Sequence, residues 1–192
     1  EPATLTRDNE DITQEAKQDN SFYYTDAISD NAIKYIDEHV RDAGEDPFFL
    51  YVAYTAAHWP MHALPEDIAR YRGVYDAGYA AIRKARLARL REMGLIDPSW
   101  DLSPRAGDWE GASNKEWEAR CMEVYAAMVD RMDQNIGRII ETLKKTGDFD
   151  NTLFLFLADN GGCAEEYGSR GEVKPDPSKP VELKPMKPDE LQ

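Results

Sequence analysis
With 192 residues, 42% of them hydrophobic and four Trp and ten Tyr among them, the chain can bury one core of ordinary size, and length alone argues against two independent domains. A formal charge of −14 and a pI near 4.6 favour solubility and make nucleic acid and anionic membrane surfaces poor partners, because long-range repulsion opposes their approach. A ligand that is itself an anion would need a local cluster of cations to overcome that field.

Two cysteines, Cys121 and Cys163, are too few for a disulfide framework and have no zinc-ligand spacing. No window approaches 18 continuous apolar residues, so no membrane span is predicted. The start at Glu1-Pro2-Ala3 shows no leader pattern and no initiator Met, as expected of a processed chain or a piece of a larger one.

In chain order, residues 1–21 are polar and acidic without sustained periodicity and read as irregular, with room for an edge strand. From Thr25 to about Arg41, Ile28, Ala32, Ile36 and Val40 recur every four residues, with Asp26 in the first turn and Gly44 just past the end, predicting an amphipathic helix. Phe48 to Tyr54, FFLYVAY, is apolar on both parities and reads as a central strand buried on both faces. Thr55 to Pro65, TAAHWPMHALP, must then be a loop leaving the strand's C-terminal end, the edge at which open α/β sheets bind ligands.

Residues 78–94 predict a helix carrying Arg83, Lys84, Arg86, Arg89 and Arg91, with Gly94 closing it. Its basic run lacks interleaved aromatics and reads as a solvated face rather than a nucleic-acid patch. Residues 95–112 read as a loop. Ser113-Asn114-Lys115-Glu116 is a capping box before a helix of roughly thirty residues. One face of that helix is marked by Trp117, Cys121, Tyr125, Met128, Met132, Ile136, Ile140 and Leu143, and Gly147 ends it. Its methionines read as packing groups. Thr152 to Ala158, TLFLFLA, is a second two-sided apolar strand, followed at once by Asp159-Asn160-Gly161-Gly162. From Gly168 onward, prolines and lysines dominate and predict a flexible tail.

Three positions can carry chemistry. Asp159 and Asn160 offer adjacent hard oxygen donors suited to Ca²⁺ or Mg²⁺, although Asp-Asn-Gly-Gly is equally a good tight turn. His58 sits in a Pro-constrained loop beside Trp59, where an imidazole can act as general acid or donate to an anion, or simply pack on the indole. His62 cannot join it at zinc through helical i, i+4 spacing, because Pro60 lies between them. His39, late in the first helix, needs no chemistry to explain it.

Taken together, TDAISDNAIKYIDE at 25–38, PFFLYVAYTAAHWPMHALPEDIARY at 47–71, MEVYAAMVDRMDQNIGRIIETLKKTG at 122–147 and DNTLFLFLADNGGCAEE at 150–166 resemble type I sulfatases of the arylsulfatase kind, in the alkaline phosphatase superfamily. The resemblance implies an α/β fold, with a mostly parallel or mixed sheet flanked by helices in an alkaline-phosphatase-like sandwich. It implies hydrolysis of a small-molecule or carbohydrate sulfate ester assisted by Ca²⁺, with Mg²⁺ as the alternative. It places Asp159 and Asn160 at the family's late metal-ligand pair and His58, in His-Trp-Pro, at the histidine contacting the sulfate group. It also implies a periplasmic or secreted parent. Relatives usually carry Trp where this chain has Tyr79.

The family's nucleophile is a formylglycine made from Cys or Ser in a C/S-x-P/A-x-R motif. Cys121 is followed by MEVY and Cys163 by AEEY, so formylglycine is expected in the parent enzyme and not in this chain. The late lysine of the family cannot be assigned to Lys174, Lys179, Lys184 or Lys187. The expected organisation is an irregular segment at 1–21, a central part of a sulfatase catalytic domain at 22–167 and a tail at 168–192. Such a portion is expected to be inactive alone and to self-associate through exposed strand edges. Two other readings stay open: a phosphatase or phosphonate hydrolase of the same superfamily, and a non-catalytic binding module that keeps a degenerate sulfatase fold.

Overall fold
The structure is a computed structural model that describes residues 4–44, 46–105 and 109–161. Gly162, Cys163, the four tail lysines and the predicted tail lie outside the described residues. The chain divides into two compact units. One holds the residues up to His58 together with Val129–Leu153, and the other holds Trp59–Met128 with the residues from Phe154 onward.

The first unit opens with a short antiparallel hairpin, β1 (Thr6–Arg7) and β2 (Glu10–Asp11), paired Thr6 to Asp11 and Arg7 to Glu10. Asp8 and Asn9 take positive φ values of 51° and 70°, which these residues tolerate better than other non-glycines and which a two-residue hairpin turn requires. The turn is tied down from outside, since the Tyr35 hydroxyl donates to Asp8 Oδ1 at 2.8 Å. Helix α1 (Thr13–Gln18) follows, so the segment read as irregular holds both the anticipated edge pairing and an unanticipated helix. Thr13 Oγ1 accepts from Leu5 N at 2.7 Å, and Asp11 Oδ1 accepts from Thr13 N at 2.9 Å.

Helix α2 (Tyr24–Asp42) matches the predicted element and buries Thr25, Ser29, Ala32 and Ile36. This is a 3.6-residue stripe, rotated from the one marked by Ile28 and Val40. At its end His39 Nε2 donates to the Asp46 carbonyl at 2.7 Å. His39 thus tethers the turn rather than only complementing the helix dipole. Against α2 pack Ile139 and Leu143 of helix α5 (Lys115–Thr146). Ala32, Ile36, Ile139 and Leu143 form the core cluster, flanked by Ile33, Leu50, Val52 and Phe149.

The sheet expected around 48–54 and 152–158 is not formed among the described residues, whose ladder is β1 with β2. Both runs lie in neither helix nor strand. Sequence pattern alone cannot make a strand, because its N–H and C=O groups need a neighbour about 4.8 Å away. The first run nevertheless keeps the two-residue alternation of a strand. Leu50 and Val52 pack on the core and the Tyr54 hydroxyl meets Ser29 Oγ at 2.7 Å, while Phe49, Tyr51 and Ala53 are exposed.

In the second unit, α3 (Pro65–Ala69) starts with Pro at a first-turn position and acidic residues Glu66 and Asp67 beside it, a helix-start signal at the very end of the loop predicted over 55–65. Helix α4 (Gly78–Glu92) ends before Gly94, which takes φ +68° as a helix-terminating glycine should. Helix α5 starts one residue later than the capping box implies. Asn114, not Ser113, caps it, its Oδ1 accepting from Trp117 N at 3.0 Å and its carbonyl from Glu118 N at 3.1 Å. The Tyr79 hydroxyl donates to Glu118 at 2.5 Å, and its ring meets Trp109 edge-on at 5.1 Å.

Candidate active-site and metal residues
His58 belongs to the first unit. The segment leading to it is anchored by a relay across the unit: Ser29 Oγ bonds the Thr25 carbonyl at 3.1 Å and the Tyr54 hydroxyl at 2.7 Å. Burial pushes the Tyr54 phenol above its ordinary pKa, against the pull of Ser29, so it stays a neutral hydrogen-bonding group. Four residues on, His58 N donates to the Thr55 carbonyl at 2.9 Å, closing a turn. Peptide bonds 56–57 and 59–60 are cis. His58 and Trp59 are both exposed, so the imidazole is presented at the surface of its unit rather than sunk in a core.

Asp159 and Asn160 lie in the second unit, in a bend, both exposed. Asn160 Nδ2 donates to the Gly161 carbonyl at 2.7 Å, which fixes the amide and leaves Oδ1 as an acceptor beside the Asp159 carboxylate. The pair fits a hard cation in kind, being oxygen donors on consecutive residues. It supplies two donor residues to a shell of roughly six to eight oxygens. Among the described residues no group of three or more His, Cys, Asp or Glu gathers at metal-binding distance.

Cys121 lies part-buried on α5 and its thiol is pushed up to about 11, by burial first and then by the Glu118 charge. It is a protonated, unreactive thiol at neutral pH.

Reasoning from apolar spacing misses a polar network that joins α2 to α5. Arg131 grips the Asp26 carboxylate with Nε at 2.8 Å and Nη2 at 2.5 Å, and Asn135 Nδ2 donates to Asp26 Oδ1 at 2.7 Å. Arg138 Nη1 reaches Asn135 Oδ1 at 2.8 Å, and its Nη2 pairs with Asp30. Partial burial pushes Asp26 up, but Arg131 and Asn135 outweigh it and hold the carboxyl below its ordinary value. The signal available in the sequence was polar residues recurring at i, i+4 in a helix otherwise apolar on that side.

Residues 3–187 match the family model for sulfatases. An uncharacterized sulfatase of Schizosaccharomyces pombe is 42% identical over 136 residues, covering 68% of this chain and 24% of that protein. An arylsulfatase of Klebsiella aerogenes is 43% identical over 121 residues, covering 61% of this chain and 26% of that protein. An uncharacterized sulfatase of Escherichia coli is 27% identical over 143 residues, covering 74% and 18%. The chain therefore spans about a quarter of the length of the first two relatives. The chain belongs to the sulfatase family, and with it to the α/β fold of the alkaline phosphatase superfamily.

Proposed function
We propose that the chain forms part of the active site of an arylsulfatase-like sulfuric ester hydrolase acting on a small-molecule or carbohydrate sulfate ester. The observation that carries the reading is the sulfatase match over residues 3–187; the exposed His58 at a turn and the adjacent oxygen donors of Asp159 and Asn160 support it. In this reading His58 donates a hydrogen bond to the sulfate group and a proton to the leaving oxygen. Asp159 and Asn160 hold Ca²⁺, or Mg²⁺ in its place. A bound cation there would neutralise charge on the sulfate oxygens.

The nucleophile is drawn from residues other than these 192, because neither Cys121 nor Cys163 has the motif that formylglycine formation needs. Alone, the chain is proposed to be inactive: without a nucleophile and the cations around it, little stabilises charge developing on the transferred group. No helix among the described residues is long and apolar enough to cross a membrane, and the proposed setting is periplasmic or secreted.

Calcium titration of the chain by calorimetry, beside an Asp159→Ala chain, tests the metal assignment. Saturable binding tighter than roughly millimolar that disappears in the variant is the expected result. Binding of equal affinity in both chains would remove Asp159 from the metal site.

A further inference from the structure
Among the described residues of this acidic chain, a cleft on α4 carries charge that runs the other way. It is a cavity of about 240 Å³ in the second unit, lined by Ala80, Arg83 and Lys84 of α4 and by the segment Leu102, Ser103, Pro104 and Arg105. Among the described residues that line it, three of seven are cations and none is an acid, in a chain with 37 Asp and Glu against 23 Lys and Arg. Positions 80, 83 and 84 share one face of α4 because i, i+3 and i+4 are neighbours on a helix.

The cations of α4 are not all alike. Arg89 is neutralised by Glu92 at 2.6 Å and Arg91 by Asp101 at 3.4 Å. Arg83 instead gives Nη2 to the Ser103 carbonyl at 2.7 Å and Ser103 Oγ at 2.9 Å. Both acceptors are neutral, so the guanidinium is oriented without losing its charge, and Nε and Nη1 keep their donors for a ligand. Among the described residues Lys84 and Arg105 have neither an ion-pair partner nor a hydrogen bond. A solvated helix face explains Arg86, which is not among the residues lining this hollow, but leaves unexplained three cations that no described acid compensates around a hollow backed by Ala80, Leu102 and Pro104. Like charges crowded at a concave, partly apolar wall repel each other until an anion enters.

We propose that this cleft is an oxyanion-binding site, taking a sulfate or phosphate group on Arg83, Lys84 and Arg105. The group is either a free oxyanion or the charged substituent of a larger molecule. The site shares no residue with His58, Asp159 or Asn160, and it stands whether or not those residues bind metal.

Equilibrium dialysis of the chain against radiolabelled inorganic sulfate at low ionic strength tests this, and reads bound anion even where chains associate. Saturable binding near one per chain is expected, weakened at least about tenfold in Lys84→Ala/Arg105→Ala, since each charged hydrogen bond contributes roughly that factor. Both positions are exposed, and an Arg105→Lys chain, which keeps the charge, should retain most of the binding and so guard against a folding artefact. Displacement by inorganic phosphate at concentrations like those of sulfate itself identifies a free oxyanion. Displacement by a sulfated oligosaccharide at tenfold lower concentration identifies a substituent; either supports the site. Absence of saturable binding, or binding unchanged in the double variant, overturns it.

Discussion
A side chain at position 78 would place its Cβ 2.5 Å from the Trp109 indole, on a backbone already at φ +78°. Two independent demands therefore exclude anything but glycine: the left-handed conformation costs other residues about 1–2 kcal/mol, and the indole, itself held edge-on by Tyr79, has to move. Gly78→Ala is expected to destabilise the second unit by about 2 kcal/mol or more, seen as a lower denaturation midpoint with unchanged slope; an unchanged midpoint would show that Trp109 has room to shift. The sequence marks Gly78 as a helix start but not its partner 31 positions away. Asp159, Asn160 and His58 drew attention for the opposite reason: each rides a short motif directly after an apolar run, and the described residues put His58 at the end of a turn and Asp159 and Asn160 in a bend. The roles proposed for them came from resemblance, because neither an aspartate beside an asparagine nor a histidine beside a tryptophan declares a ligand by itself.

At the scale of the element, length and ends of α2, α4 and α5 could be read within a residue or two, since caps and glycines act locally. The buried faces could not. Tyr125, on the face marked from the sequence, is 45% exposed, while Val124, Ala127 and Asn135 are buried at 1%, 0% and 1%. Large apolar residues mark where a helix could be buried, whereas small residues let a neighbour approach and a buried Asn serves the Asp26 carboxylate. That carboxylate gives the contact between α2 and α5 a pH signature. Its folded pKa lies below its ordinary value, so its stabilisation is fully present above about pH 4 and is lost as pH falls through the depressed folded value. Asp26→Asn is expected to lower stability by about 1–3 kcal/mol at neutral pH. The gap to the unsubstituted chain should close as acid protonates Asp26. Urea midpoints measured from pH 7 down to pH 2 check it, and a gap that stays constant with pH would mean that the ionised carboxylate contributes nothing particular.

Across the whole molecule, the two runs read as buried strands define what the described residues leave open. Strand-like composition was legible, but burial on both faces depends on ladder partners that no local pattern supplies. Phe49 is 91% exposed, Leu153 83%, Leu155 78% and Phe156 77%. Runs of large apolar side chains this exposed are unusual in soluble monomers, and unpaired strand-forming segments are templates for pairing with other chains. The chain at 21.8 kDa is therefore expected to self-associate, its net charge of −14 slowing but not preventing contact at ordinary salt, where screening acts within about 10 Å. Sedimentation equilibrium should give an average mass that rises with concentration and rises further with added salt. Replacing outward-facing residues of both runs, as in Phe49→Lys with Leu155→Lys, should return the mass towards that of one chain without touching Leu50 or Val52, which pack on the core. A chain that stays monomeric at every concentration and salt level would show that these side chains find cover within the molecule itself.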